Sequence, residues 1–228
     1  MFTRIVRTAG FAGLFAALWL TLLQGFWVAP LILQAETYEK APATSAHEHA
    51  AALPPGHAHE AEAWEPEDGW QRLLSTTGGN LVVAVGFALM LAGLFTLRAP
   101  QRTGEGLLWG LAGFAVFCLA PTLGLPPELP GTAAADLTQR QIWWASAAAS
   151  TAVGLALLVF ARPPLMKVLG VAILLVPHLL GAPQPEVHAS LAPQALESQF
   201  KIASLLTNAL FWLGLGLVSA WLFRRRAA

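Results

Sequence analysis

Several stretches of this chain are too long and too apolar to be solvated by water. Ile5 to Leu33 is long enough for about eight turns of helix, with Arg7 as its only charge. A helix needs roughly 20 mostly apolar residues to cross the hydrocarbon of a bilayer. Inside that hydrocarbon every backbone amide must find its partner within its own segment, which leaves the helix as the natural fold. Leu81 to Leu97, entered through Leu73 to Asn80, meets the requirement, as do Gly106 to Leu125, Ile142 to Ala161 and Ile202 to Phe223. A shorter run, Leu165 to Gly181, holds Pro177 and His178 near its end. Composition agrees, since 56% of the 228 residues are hydrophobic and only 11% are charged, against about 25% charged in an ordinary soluble domain.

Charge placement decides whether the short run counts. With Arg4 and Arg7 on the cytoplasmic side and six spans, Arg98, Arg102, Arg162, Lys167 and Arg224 to Arg226 fall on that side too. That places nine of the 13 basic residues inside, with Lys40, Arg72, Arg140 and Lys201 outside, as lysine and arginine dictate orientation. Omitting the short run would send the triple-arginine tail outside. The expected fold is therefore all-α and polytopic, with six spans and both termini cytoplasmic. Five spans remain if the short run does not cross. Five would also remain if Arg4, Arg7 and the apolar run after them were a cleaved leader. That run is longer than a leader's and has no small-x-small site, so a retained first helix is expected. The units are a first helix at 1–33, an external loop at 34–72 and a membrane body at 73–228. Trp27, Trp143 and Trp144 near the outer boundary, and Trp109 and Trp221 near the inner one, read as interfacial belts.

The same topology puts all of the acidic residues but Glu105, and all six histidines, outside. Net charge is zero and no basic patch is present, so nucleic acid is not an expected partner. One cysteine, Cys118, excludes an internal disulfide framework and reads as a small buried hydrophobe. No phosphate loop of the GxxxxGK[ST] type occurs, nor GxSxG, HExxH or CxxC, so no catalytic constellation is recognisable and the chain does not read as an enzyme.

The outer ends of the odd spans echo one another. Pro121-Thr122-Leu123-Gly124-Leu125-Pro126-Pro127-Glu128 resembles Pro177-His178-Leu179-Leu180-Gly181 and its continuation to Glu186, and the first span has Pro30 and then Glu36. The even spans open on Gln71-Arg72, Gln139-Arg140 and Gln199-Phe200-Lys201. Three helix hairpins, 1–2, 3–4 and 5–6, around a common axis would explain this, and transporters often place sites between such repeats. The habit of ending membrane helices with Pro and Gly would explain it as well.

The external loop carries the most specific chemistry. His47-Glu48-His49 and His57-Ala58-His59-Glu60 put four histidines within thirteen residues, around a Leu53-Pro54-Pro55-Gly56 turn. In an extended His-x-His segment both imidazoles point the same way. Imidazole with carboxylate suits borderline divalent ions such as zinc, nickel and cobalt. The bland reading is an acidic linker with incidental histidines. His178 sits at a proline-weakened helix end, and ionisable groups at membrane depth are functional candidates by default, although one histidine near an interface can simply snorkel. His188 could join it, and Glu36 and Glu128 are the nearby carboxylate candidates. Asn80 and Asn208, nine residues after their leading glutamines, either glue helices together or line a polar path.

At this point a family resemblance can be stated. The segments Pro30 to Glu36, Ala120 to Gly131, Trp143-Trp144 and Pro177 to Pro185 together resemble the cobalt transporter subunit family CbtA, across nearly the whole chain. The resemblance implies cobalt(II) uptake across the inner membrane of bacteria that make cobalamin. It further implies a small single-helix, histidine-bearing partner, CbtB, and no tightly bound cofactor. That family is usually given five helices, whereas the charges here favour six. The competing readings are a metal-binding membrane scaffold that does not transport, and a membrane enzyme or haem-handling protein using His178 and His188. The orientation is directly testable. In a Cys118→Ala background, a membrane-impermeant thiol reagent applied to intact cells is expected to label a cysteine at position 53 and to spare one at position 103. The reverse pattern would invert the topology.

Overall fold

The computed structural model describes residues 1–40 and 66–225. Six helical rods account for most of them. α1 runs from Phe2 to Glu39, α2 from Trp70 to Leu97 and α3 from Glu105 to Thr122. α4 is Leu137–Phe160, α5 is Pro164–Leu180 and α6 is Gln194–Arg225. Five of these are long and apolar enough to cross a membrane, which makes the chain an all-α polytopic membrane protein. α5 has 17 residues, about 25 Å of helix, at the lower limit for a span.

The rods are set antiparallel, and their contacts fix which ends lie together. The Arg4 guanidinium donates to the Phe223 carbonyl at 3.0 Å, and Trp19 Nε1 donates to Leu210 O at 3.3 Å. Arg224 Nη1 reaches Thr103 Oγ1 at 3.0 Å. The start of α1, the end of α6 and the α2–α3 turn therefore share one end of the bundle. α1 continues past Leu33, where its apolar run stops, to Glu39. At 38 residues it is about 57 Å long against roughly 30 Å of hydrocarbon, so its far end projects beyond the membrane. The start of α6 projects beside it. There Val28, Ala35, Leu196 and Phe200 bury Leu129 and Ala192 in a small second core, which seats the segments after α3 and α5 on the helices.

The main core lies between α1, α2, α3 and α6. Ala9, Ala12, Ala16 and Ala17 of α1 face Ala84, Ala88, Leu91 and Phe95 of α2, closed by Phe211, Trp212 and Leu215 of α6. Phe117 stacks on Trp212 with centroids 5.5 Å apart. Lipid offers apolar surface as good as a helix does, so association depends on close backbone approach at small residues. The glycines record where this happens. Gly106, Gly110 and Gly113 of α3 lie against Gly216 and Trp212 of α6, with no room for a Cβ on any of the three. Gly154 of α4 and Gly170 of α5 meet each other, a Cβ on the first lying 2.7 Å from the other's carbonyl. Gly13 of α1 admits Val85 of α2 in the same way.

These contacts correct the arrangement expected from the repeat. α1 packs with α2, but α3 packs chiefly with α6, and α5 packs with α4. α5 and α6 do not pack as a hairpin, so 1–2, 3–4 and 5–6 are not three equivalent packed units. The glycine faces choose partners, and chain order does not. A local likeness does persist in two copies. α1 and α3 each contain a π-helical turn, Gln24–Val28 and Ala115–Leu119, immediately before Ala29-Pro30 and Ala120-Pro121. Proline has no amide to give the ladder, and a widened turn accommodates the gap. α5 keeps an ordinary α-helical ladder up to Pro177.

The glycine contacts give a stability prediction. Gly216→Leu is expected to cost about 1–3 kcal/mol, the usual penalty of overpacking, read as a lower midpoint of thermal unfolding in detergent. Gly86→Ala, whose added Cβ meets open space, is expected to leave the midpoint unchanged or slightly raised.

Candidate functional site

The end of the bundle opposite the chain termini, called the outer end for the side that the charge distribution favours, is built by two turns, 123–136 after α3 and 181–193 after α5. They pair across a short antiparallel bridge between Thr132 and Ser190, where Ala133 N donates to Ala189 O at 2.9 Å and Leu191 N to Gly131 O at 3.3 Å. Gly131 takes φ +76° at this crossing and Gly181 takes φ +84° at the end of α5, conformations that suit glycine. Asp136 caps α4 by accepting the Gln139 amide at 2.9 Å. The two proline-rich turns are thus neighbours in space.

Between them lie two cavities. The outer one, about 320 Å³, is lined by Glu128, Arg140, Gln184, His188, Glu197 and Lys201 among others. The second, about 430 Å³, is lined by Leu123, Gly124, Trp143, His178, Gly181, Ala182 and Gln184. Gly124 and Gln184 belong to both walls, so the cavities adjoin.

The candidate ligands fall into distinct situations. Glu128 is held by Arg140 at 2.8 Å. Glu36, on the last turn of α1, pairs with Arg72 at the start of α2, and Arg72 also holds Asp68 at 2.7 Å. Both carboxylates are therefore committed to guanidinium groups. His188 is exposed on the wall of the outer cavity. His178 is different: its Nε2 is buried and has no hydrogen-bond partner. The ring lies edge-to-face with Trp143, centroids 5.8 Å apart. Trp143 Nε1 donates to the Pro177 carbonyl at 3.1 Å, a bond buried from solvent. Trp143 therefore faces inward and holds the α5 end, which corrects its reading as a belt residue. Adjacent residues on a helix point about 100° apart, so in Trp143-Trp144 only one indole can favour the lipid. That spacing was the available signal. Trp144 and Trp27 remain substantially exposed.

Asn80 and Asn208 do not converge. Asn80 Nδ2 bridges from α2 to Thr21 Oγ1 at 3.0 Å and Gln24 Oε1 at 2.7 Å on α1. Asn208 Nδ2 returns to its own helix, donating to Ser204 O at 2.9 Å. His47, His49, His57 and His59 lie outside the described residues. Among the described residues, no three His, Cys, Asp or Glu side chains converge to hold a metal ion.

The Asn80 geometry gives a measurable expectation. Asn80→Leu removes both interhelical hydrogen bonds and is expected to lower stability by about 1 kcal/mol, within the range for such bonds in membranes. Uptake per folded molecule is expected to stay near wild type, measured alongside thermal unfolding.

The family model described as "Probable cobalt transporter subunit (CbtA)" matches residues 2–224. Neither a curated protein nor a solved structure matches the chain.

Proposed function

Since the chain belongs to this CbtA family of probable cobalt transporter subunits, we propose that it carries cobalt(II) inward across the bacterial inner membrane. The observation that carries the reading is His178. Its Nε2 is buried without a hydrogen-bond partner, and the residue lies beside Trp143 and Gln184 in the lining of the second cavity. An orphaned polar atom at such depth is costly unless something supplies a partner. Cobalt(II) takes imidazole nitrogen readily, and an incoming ion would provide that partner.

On this reading the outer cavity is a vestibule. His188 stands at its wall and Glu128 and Glu197 give it carboxylate oxygens, while Arg140 and Lys201 neutralise those charges and keep the cavity from holding a cation tightly. The segment with His47, His49, His57 and His59 would raise the local ion concentration above it. Among the described residues too few donors converge for the ion to shed its whole water shell, so it would move on partly hydrated. A small histidine-bearing single-helix subunit of the CbtB kind is the partner that membership in this family suggests. The termini and the basic loops would face the cytoplasm, as the arginine distribution favours.

The test is His178→Ala in cells whose own gene copy carries the change. The maximal rate of cobalt(II) uptake is expected to fall about ten-fold or more, as when a liganding group is lost, with little change in half-saturating concentration. A full-rate variant would make His178 structural and favour a metal-binding scaffold that does not transport.

A further inference from the structure

The described basic residues divide sharply between the two ends of the bundle. Lys40, Arg72, Arg140 and Lys201, at the end remote from the termini, each pair with a carboxylate. At the termini end, none of the described lysines or arginines is in an ion pair. Glu105 is the one acidic residue described there, and its Oε2 already accepts the Gln101 amide at 2.9 Å. Some of these cations are used by the chain itself, as Arg4 is by the Phe223 carbonyl and Arg224 by Thr103. Arg98 is not. It is exposed just past the end of α2, with its guanidinium carbon 4.8 Å from the centre of the Phe160 ring of α4. A guanidinium held over a ring still has five N–H donors to give, and here none finds an acceptor among the described residues.

Arg98 stands at the mouth of a cleft. α4 packs on the second half of α3, residues 115–122, but neither on its first half, Glu105–Phe114, nor on α2. The α4–α5 pair therefore separates from the body toward the termini end. Aromatic rings span the gap. Trp109 of α3 lies edge-on to Phe95 of α2, centroids 5.6 Å apart, and meets Phe160 of α4 at 6.3 Å. Trp109 is half-buried, and its indole N–H has no acceptor among the described residues. Arg162 follows Phe160 by two residues, and it is exposed and unpaired like Arg98. Leu97, Leu108 and Val159, on the three helices that flank the cleft, are exposed apolar side chains.

We propose that this cleft holds an anionic phospholipid, with its phosphate on Arg98 and Arg162. Its ester oxygens would lie at the level of Trp109 Nε1 and its acyl chains against α3 and α4. Arginine takes phosphate through paired N–H donors. Tryptophan suits the headgroup level of a bilayer, and basic pockets between membrane helices attract anionic headgroups. An acidic protein segment would use the cations but not the aromatic floor beneath them. The lipid would fill the gap where the α4–α5 pair leaves the body. Nothing in this cleft depends on His178, which lies at the opposite end of that pair.

The test uses the full chain purified in a neutral detergent at near-physiological salt. Phosphatidylglycerol is expected to raise the midpoint of thermal unfolding saturably and to stay bound in native mass spectrometry. Phosphatidylcholine, inorganic phosphate and polyglutamate are expected to do neither. The double variant Arg98→Gln, Arg162→Gln is expected to bind phosphatidylglycerol about ten-fold more weakly, as for a lost charge-assisted hydrogen bond. Arg7→Gln removes an exposed charge from α1 at the same end. It is expected to change binding less than about two-fold, since exposed charges are screened beyond about 8 Å at this ionic strength. Equal stabilisation by phosphatidylcholine, or by inorganic phosphate or polyglutamate, would overturn the lipid assignment, and these comparisons need no variant. An undiminished double variant, or an equal loss in Arg7→Gln, would overturn the site.

Discussion

The architecture depends on backbone-to-backbone contact between helices at glycine. In water the burial of apolar side chains would drive these rods together, but in lipid that drive is almost absent. What remains is dispersion at very short range, and it is available only where no Cβ intervenes. Gly106, Gly110 and Gly113 against Gly216 and Trp212 join α3 to α6. Gly154 against Gly170 joins α4 to α5, and Gly13 against Val85 joins α1 to α2. These three seams set the helix order in space, and the other contacts are compatible with them.

One consequence is a division of the molecule. α1, α2, α3 and α6 form a closely packed, aromatic-filled body, while α4 and α5 stand as a pair against α3. Their attachment includes Phe117 with Trp144 and Trp109 with Phe160, at centroid distances of 6.3 Å each. The outer turns that emerge from α3 and α5 are tied together above this junction. The cavities lie where the pair meets the body, as sites in membrane transporters commonly lie between units and not inside them.

The electrostatics of the outer end follow from the same geometry. Glu36 at the end of α1 pairs with Arg72 at the start of α2, and Glu128 in the turn after α3 pairs with Arg140 at the start of α4. They lock the α1–α2 and α3–α4 connections and neutralise both carboxylates. Lys201 turns instead to Glu197 on its own helix, at 3.6 Å, so the third copy of the pattern has no such clasp. His178 Nε2, by contrast, is buried without a hydrogen-bond partner.

Hydropathy and charge in the sequence were enough to establish the membrane class, the presence of six helices and the turn chemistry around Pro121 and Pro177, because each is a local property of a short segment. Lipid solvates a helix according to its own side chains, and proline and glycine act on the backbone they belong to. Pairing was decided only by the tertiary structure. A glycine reads the same whether it meets Gly216, Gly170 or open lipid, as Gly86 does. For that reason the local likeness of the Pro30 and Pro121 turns was legible, while the partnership of α3 with α6 was not. The same holds for the site: His178 was legible as an ionisable residue at a proline-bearing helix end. That Glu128 is engaged by Arg140, that Asn80 is engaged by α1, and that Trp143 turns inward to hold Pro177 all depend on distances between segments far apart in the chain. No periodicity along the chain encodes such distances.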